Sequence, residues 1–479
     1  MSEFDGAVMR KTSHGKWLAF ATLALALASC ASLPEVGGNM AAAANKASPT
    51  VATPNGMLQA KQAAALLARR WARATPDMKA LAILEEAATG VPLIAGNKVS
   101  LLFDGPATMK EMMAAVRDAK SSINLETYIF DQDRVGIEFA DLLIERRRQG
   151  ILVNVLYDAV GTFGTPQAFF ERMRAAGITL VEFNPVNPAA RKGKWELNNR
   201  DHRKLMVVDG KVAFTGGINI SSTYADSSFF GSRRTPNKED GKKVGWRDTH
   251  VKVEGPAVAA LQWSFVNNWV RQEAGELPEA ASEATSEATY FPPLAPVGDK
   301  VVRVLASDPG KGFEIYKSLV LAIQESKKSV HITSAYFVPD QQIVDALCAA
   351  ARRGVDVRLV LPGVTDHGLV LHAGRAFYDQ LLANDVKIFH LQVAVLHAKT
   401  AVIDGTWSTI GSANIDRRSF IHNYELNVIV LDSAFGQDME AAFSEDLRDS
   451  KPVSREEWSR RPWSDRIKEW AARLTEYWI

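Results

Sequence analysis

Two short patterns in this 479-residue sequence carry residue types suited to chemistry. One is His202-x-Lys204-x4-Asp209, and the other is His397-x-Lys399-x4-Asp404. Each is followed, 17 residues after its His, by an asparagine in a turn of small residues. These are Asn219 in Gly216-Gly217-Ile218-Asn219 and Asn414 in Gly411-Ser412-Ala413-Asn414. In a strand, residues two apart point to one face, so each pattern would present an imidazole beside an ammonium. The lysine and the asparagine amide can hold phosphoryl oxygens, and a small-residue turn lets a phosphate approach the backbone. Two such sets facing one another would let one imidazole attack phosphorus while the other protonates the leaving oxygen. The lysines would hold the charge spread over the remaining oxygens. The chemistry expected is phosphoryl transfer without metal or cofactor. A zinc site is not expected, because there is no His-x3-His or cysteine pair and a lysine beside each His opposes a cation. Asp209 and Asp404 complete the two catalytic patterns and are expected to support turns rather than take protons.

The elements that must position these residues repeat as the patterns do. Ser122–Phe130 recurs loosely as Ser329–Phe337, and Ala176–Leu180 as Asn384–Ile388, in the same order around each motif. The two His lie 195 residues apart, as do the two Asn. The chain is therefore read as an internal duplication. β-Branched runs such as Ile151–Tyr157 and Val355–Val360 each follow an apolar helical pattern that ends in Arg and Gly, the stop signals of a helix. This alternation predicts an α/β fold. The expected domains are a first half over residues 96–276, a linker over 277–298 rich in Ala, Ser, Glu, Thr and Pro, and a second half over 299–450. Residues 57–95 are expected to form N-terminal helices, broken at Pro76, and residues 451–479 a Trp-rich C-terminal helix.

The paired motifs resemble the HKD motifs of the phospholipase D superfamily. Their flanks sharpen the resemblance to its bacterial cardiolipin synthase branch, over roughly residues 96–450. These flanks include Asn198–Lys204, Trp246-Arg247-Asp248, Ser334–Asp340 and Gly411–Ser419. The resemblance implies two pseudo-symmetric halves, each a mixed sheet flanked by helices, with the active site at their interface. It also implies ping-pong transfer through a phosphohistidine, with His202 as nucleophile and His397 as general acid, and a carboxylate behind each imidazole. Asp248 and Glu425 occupy matching places for that role. The activity implied is a phosphatidyltransferase acting on phospholipids such as phosphatidylglycerol. A phospholipase D hydrolase shares the chemistry and stays open as the alternative, with a phosphodiesterase nuclease behind it. His367 and His372 are read as surface or packing residues.

Composition narrows the rest. There are 56 Lys+Arg against 55 Asp+Glu, 47% hydrophobic residues and two cysteines. That is a globular composition, so wholesale disorder is excluded, and it lacks the basic excess of a nucleic-acid binder. The first 29 residues have a basic start, an apolar run from Trp17 to Ala28 and small residues before Cys30. The run is too short to span a bilayer, which takes ~20 residues. The order is that of a signal peptide, and Leu27-Ala28-Ser29-Cys30 resembles a lipobox. It implies a Cys30-anchored lipoprotein, with Ala31 pointing to an outer-membrane location facing the periplasm. Removing this leader subtracts three basic and two acidic side chains and leaves a formal net charge of zero. Residues 30–56 are read as a flexible tether. Cys348 falls on an apolar helix pattern and is expected in the core. Near the end, Ile467, Trp470, Leu474 and Trp478 share one helical face, which suits either a membrane interface or the protein's own core.

Overall fold

The two β-branched runs form the middle strands of two equivalent sheets. In the first half, Leu152–Asp158 lies parallel between Ser122–Thr127 and Thr179–Phe183. Leu205–Val208, Val212–Gly216 and His250–Glu254 then continue the sheet antiparallel. In the second half, Asp356–Pro362 lies parallel between Ser329–Ser334 and Lys387–Leu391. Lys399–Ile403, Trp407–Gly411 and Asn423–Leu431 continue it in the same order. Leu93–Leu102 borders the first sheet and Lys300–Ser307 the second, and these two pair with each other antiparallel. The duplication read from sequence is thus a duplication of topology, joined edge to edge. This is a computed structural model, and it describes residues 32–38, 48–71, 78–187, 196, 198–225, 245–272, 290–365 and 367–477. Cys30 and Trp478 lie outside the described residues.

Helices cover the sheets because each presents an apolar stripe to them. Ala257–Arg271 buries Leu261, Phe265 and Trp269 in the core shared by both halves, which also holds Val302, Val428 and Val430. Gln341–Arg352 buries Ile343, Leu347 and Cys348, so the thiol is a core residue as expected. Two helices, Ala60–Arg70 and Met78–Thr89, precede the first sheet. The second is fixed by Glu85, whose buried carboxylate pairs with Arg303 and accepts from Trp407 Nε1 at 2.8 Å.

Three boundaries differ from the sequence reading. Residues 30–56 are not tether throughout. Val51–Thr53 forms a strand parallel to Leu93–Leu102, Val51 is fully buried, and the Val36 N–H donates to Gln342. Two apolar β-branched residues in a polar, Ala-rich stretch suffice to anchor it. The end of the 277–298 linker also packs: Tyr290 is buried and its hydroxyl accepts from Asn154 Nδ2 at 3.2 Å. The C-terminal segment is not one helix. Ser450–Pro452 pairs with Phe389–Leu391, and the helices Arg455–Ser459 and Trp463–Arg473 follow, separated at Pro462, which cannot continue a helix.

Candidate active site

Both motif histidines sit at crossings between the halves. Arg200–Asp201 leaves the first sheet to pair with Asn423–Tyr424 of the second half, and the His202 N–H donates to the Tyr424 carbonyl at 3.0 Å. The mirror arrangement pairs Trp246–Arg247 with Val395–Leu396, and the His397 N–H donates to the Arg247 carbonyl at 2.8 Å. This corrects the expectation of His and Lys alternating within one strand. Leu205–Val208 begins after Lys204, and His397 precedes Lys399–Ile403, because the motif's leading residues spend their backbone hydrogen bonds across the interface.

The carboxylates cross over in the same way. Glu425, from the second half, lies behind His202 of the first, with Nδ1 at 3.1 and 3.2 Å from its two oxygens. Asp248, from the first half, lies behind His397 of the second, with its Oδ2 2.6 Å from Nδ1. A carboxylate on Nδ1 sets the tautomer and leaves Nε2 for chemistry. The small-residue turns serve these carboxylates. Ser412 Oγ donates to Glu425 Oε2 at 2.5 Å, and at the matching place a Cβ on Gly217 would stand 2.1 Å from Asp248 Oδ1. The small side chains therefore let the turn reach the carboxylate, rather than a phosphate reach the backbone.

Both imidazoles are buried and line one cavity of about 440 Å³. Asn219 and Asn414 line it too, but they are held differently. Asn219 Oδ1 accepts from the Ile129 N–H at 3.0 Å and its Nδ2 donates to the Tyr224 hydroxyl at 2.8 Å, while Asn414 Oδ1 has no hydrogen-bond partner among the described residues. Neither lysine is among the lining residues. Lys204 Nζ donates to the His202 carbonyl at 2.6 Å, and Lys399 Nζ contacts the His397 carbonyl and lies 2.8 Å from its Nδ1. The cations that do line the cavity are Arg200, paired with buried Asp158, and Arg418, which donates to Asn198. Asp209 and Asp404 stand apart from it. Both hold a left-handed backbone, at φ 54° and 52°. Each accepts the backbone N–H groups that open one strand of its half: Ser121 and Ser122 at Ser122–Thr127 for Asp209, Lys328 and Ser329 at Ser329–Ser334 for Asp404. They build turns, as the sequence suggested, and do not touch the reacting centre.

The electrostatics suit a neutral nucleophile beside a fixed anion. Burial and the Lys204 charge bring His202 down to about 4, against the opposing pull of Glu425. Burial alone would raise Glu425, but the His202 imidazole, Lys204 and Ser412 bring it down to about 2. Burial, with Lys399 nearby, lowers Lys204 to about 7. At neutral pH, His202 is therefore an uncharged base backed by a carboxylate.

Several site residues escape a motif search. Tyr128 meets His202 edge-on at 5.1 Å, and Tyr336 meets His397 at 6.3 Å. The repeat does not mark them, since Tyr128 stands opposite Ala335 and Tyr336 opposite Ile129 in the two copies of the segment. Trp246 lies 4.8 Å from His397. His367 is exposed, as its surface reading expected, and it also lines the cavity, edge-on to Tyr336 at 5.7 Å. The loop after Asp356–Pro362 carries it there. His372, one helical turn further, does not line the cavity.

Residues 112–229 and 319–447 match the family described as cardiolipin synthase, PLD-like domain. The chain is 34% identical to the cardiolipin synthase of Geobacillus kaustophilus over 385 residues, which is 80% of this chain and 72% of that one. This chain belongs to the phospholipase D-like cardiolipin synthase family. Cardiolipin synthase 2 of Bacillus cereus is a further relative, 33% identical over 377 residues, covering 78% of this chain and 69% of its own. Among solved structures, the phosphatidylserine synthase of Haemophilus influenzae superposes with a TM-score of 0.63 at 13% identity, over 82% of this chain and 99% of that one. That likeness confirms the two-half phospholipase D-like fold. Within this cardiolipin synthase family member, the matched segments contain both HKD motifs and leave outside them the carboxylate Asp248 that backs the second.

Proposed function

We propose that the chain is a phosphatidyltransferase that makes cardiolipin from two molecules of phosphatidylglycerol. The observation that carries this is the pair of imidazoles on one cavity, each backed by a carboxylate from the opposite half. His202, assigned as nucleophile from the family resemblance, attacks the phosphorus of the first lipid through Nε2. A P–N bond forms as the P–O bond to the headgroup glycerol breaks, and His397 gives its proton to the departing oxygen. A glycerol hydroxyl of the second lipid then returns a proton to His397 and attacks phosphorus, and the P–N bond breaks. The net change is two phosphatidylglycerols to one cardiolipin and one glycerol. Arg418 and Asn414, which line the cavity, are placed to hold phosphoryl oxygens beside the reacting centre. Lys399, and Lys204 in its protonated form, supply positive charge immediately behind it.

Purified protein given phosphatidylglycerol vesicles is expected to yield cardiolipin and glycerol in equal amounts by mass spectrometry. Phosphatidic acid alone would make the protein a hydrolase of the same chemistry, and no conversion with any phospholipid donor would refute the assignment. The lipobox at Cys30 supports a lipoprotein held at the envelope, on the periplasmic face of the outer membrane. Among the described residues no helix is long and apolar enough to cross a membrane. A diacylglyceryl group on Cys30 in the mass spectrum of membrane-extracted protein is the check on that anchor, and an unmodified Cys30 would remove it.

A further inference from the structure

The cavity holding the imidazoles is lined by polar and aromatic side chains, and Ile129 and Val370 are its only aliphatic ones among the described residues. Such a lining suits a phosphodiester and a glycerol headgroup. Its apolar surface is mostly aromatic ring rather than aliphatic, and acyl chains gain little by leaving a bilayer for it. On the phospholipid reading proposed above, on which this inference rests, the acyl chains stay outside the cavity mouth.

Both halves place apolar side chains at the loop that follows the strand feeding that cavity. In the first half, the loop after Leu152–Asp158 is pinned to the cavity wall. A Cβ on Gly161 would lie 2.0 Å from the Tyr128 carbonyl, and Thr165 Oγ1 donates to the Phe130 carbonyl at 2.8 Å. Phe163 stands on this loop, 81% exposed. In the second half, the loop after Asp356–Pro362 leads into the helix Gly368–Arg375. His367 and Val370 line the cavity, while Val364 and Leu369 face solvent. These loops follow equivalent strands of the two halves, and both adjoin the one cavity: Gly161 sits against Tyr128, which lines it, and His367 and Val370 line it directly.

The second of these loops continues into a larger apolar surface. Gly368–Arg375 packs against the C-terminal helix Trp463–Arg473. That helix buries Glu469 and Ala472, and Glu469 is held by Arg461 at 2.9 Å. The stripe expected from sequence to seek a core or a membrane therefore faces away from the protein: Trp463, Trp470 and Leu474 are 75%, 65% and 68% exposed, with Ile467 between them. The charged residues on the helix, apart from buried Glu469, are Arg466, Lys468 and Arg473 against Asp465. An apolar stripe with Trp and flanking cations has the chemistry of a helix lying in the headgroup region of an anionic bilayer.

We propose that Trp463, Trp470 and Leu474, together with Phe163 across the mouth, seat the protein on an anionic phospholipid surface with the cavity opening toward it. Substrate then reaches the imidazoles by its headgroup while its chains remain in the membrane.

The test uses the full chain carrying Cys30→Ser, so that an acyl anchor cannot mask surface binding. A Trp463→Ser, Trp470→Ser, Leu474→Ser triple variant and a separate Phe163→Ser variant are compared with it. Two substrates are used: phosphatidylglycerol vesicles, and a short-chain phosphatidylglycerol kept monomeric in solution. The triple variant is expected to lose vesicle co-sedimentation and about tenfold or more of its vesicle activity, and Phe163→Ser to lose less, while both keep the parent's activity on monomeric lipid. Unchanged vesicle binding and activity would overturn the proposal. So would an equal loss on both substrates, which would mark the patch as part of the fold. A parent dimer that the substitutions dissociate, with vesicle binding intact, would make the patch a contact between copies and overturn it as well. If the parent converts neither lipid, the transferase reading fails, and co-sedimentation still decides the surface.

Discussion

His202→Asn is expected to lower cardiolipin formation about 10⁴-fold or more, because it removes the imidazole nitrogen that bonds to phosphorus. Asparagine is the informative replacement. It can donate to Glu425, so the buried carboxylate keeps a partner and the halves stay joined at the Arg200–Asp201 crossing. Alanine would take one hydrogen bond from that buried carboxylate, at a cost of about 1–3 kcal/mol of stability, and leave Ser412 and Asn423 to hold it. Near-native circular dichroism with lost turnover, measured by lipid mass spectrometry, is the expected pair of results. Turnover within tenfold of the parent would remove His202 from the chemistry.

Glu425→Gln is expected to approach that effect although Glu425 never touches substrate. Its carboxylate accepts from Nδ1 of an imidazole in the other half and so presents Nε2 as the base. An amide there can hold the wrong tautomer, and behind a catalytic imidazole the same change costs about 10⁴-fold in turnover. The pH profile separates this positioning role from a structural one. Neutral His202 is required for attack, so the acid limb of kcat/KM lies near pH 4 in the parent, where burial and Lys204 have brought its pKa. Glu425 opposes that lowering, and removing its charge moves the limb to lower pH. A variant that loses activity with an unmoved or raised acid limb would contradict the role assigned to Glu425.

The two predictions share one feature that sequence could not supply. The HKD motifs, the matched Asn219 and Asn414, and the carboxylates Asp248 and Glu425 were all legible, because duplication makes each residue a check on its counterpart. Periodicity within one half carries no information about which half it faces. The crossed pairing of Glu425 with His202 and Asp248 with His397 therefore appears only in three dimensions. The lysines illustrate a second limit. Strand alternation placed Lys204 beside His202 on one face, but backbone pairing with Asn423–Tyr424 draws His202 out of the ladder, and the ammonium turns to its carbonyl. Arg418 and His367 reach the cavity from a short helix and a loop, where no period marks a functional residue. The strand at Val51–Thr53 was lost to a composition argument, since a few apolar side chains on a sheet edge outweigh the polar residues around them.

Two imidazoles on one cavity imply two displacements at phosphorus, and the stereochemical course measures that number. Cardiolipin is formed from a phosphatidylglycerol analogue of known configuration at phosphorus, isotopically chiral or phosphorothioate, and the configuration of the transferred phosphatidyl group is read by phosphorus NMR. Attack by His202 followed by attack of the acceptor hydroxyl inverts twice, so the account predicts net retention. Net inversion would mean a single direct displacement with no phosphohistidine, and would contradict the roles given to both histidines.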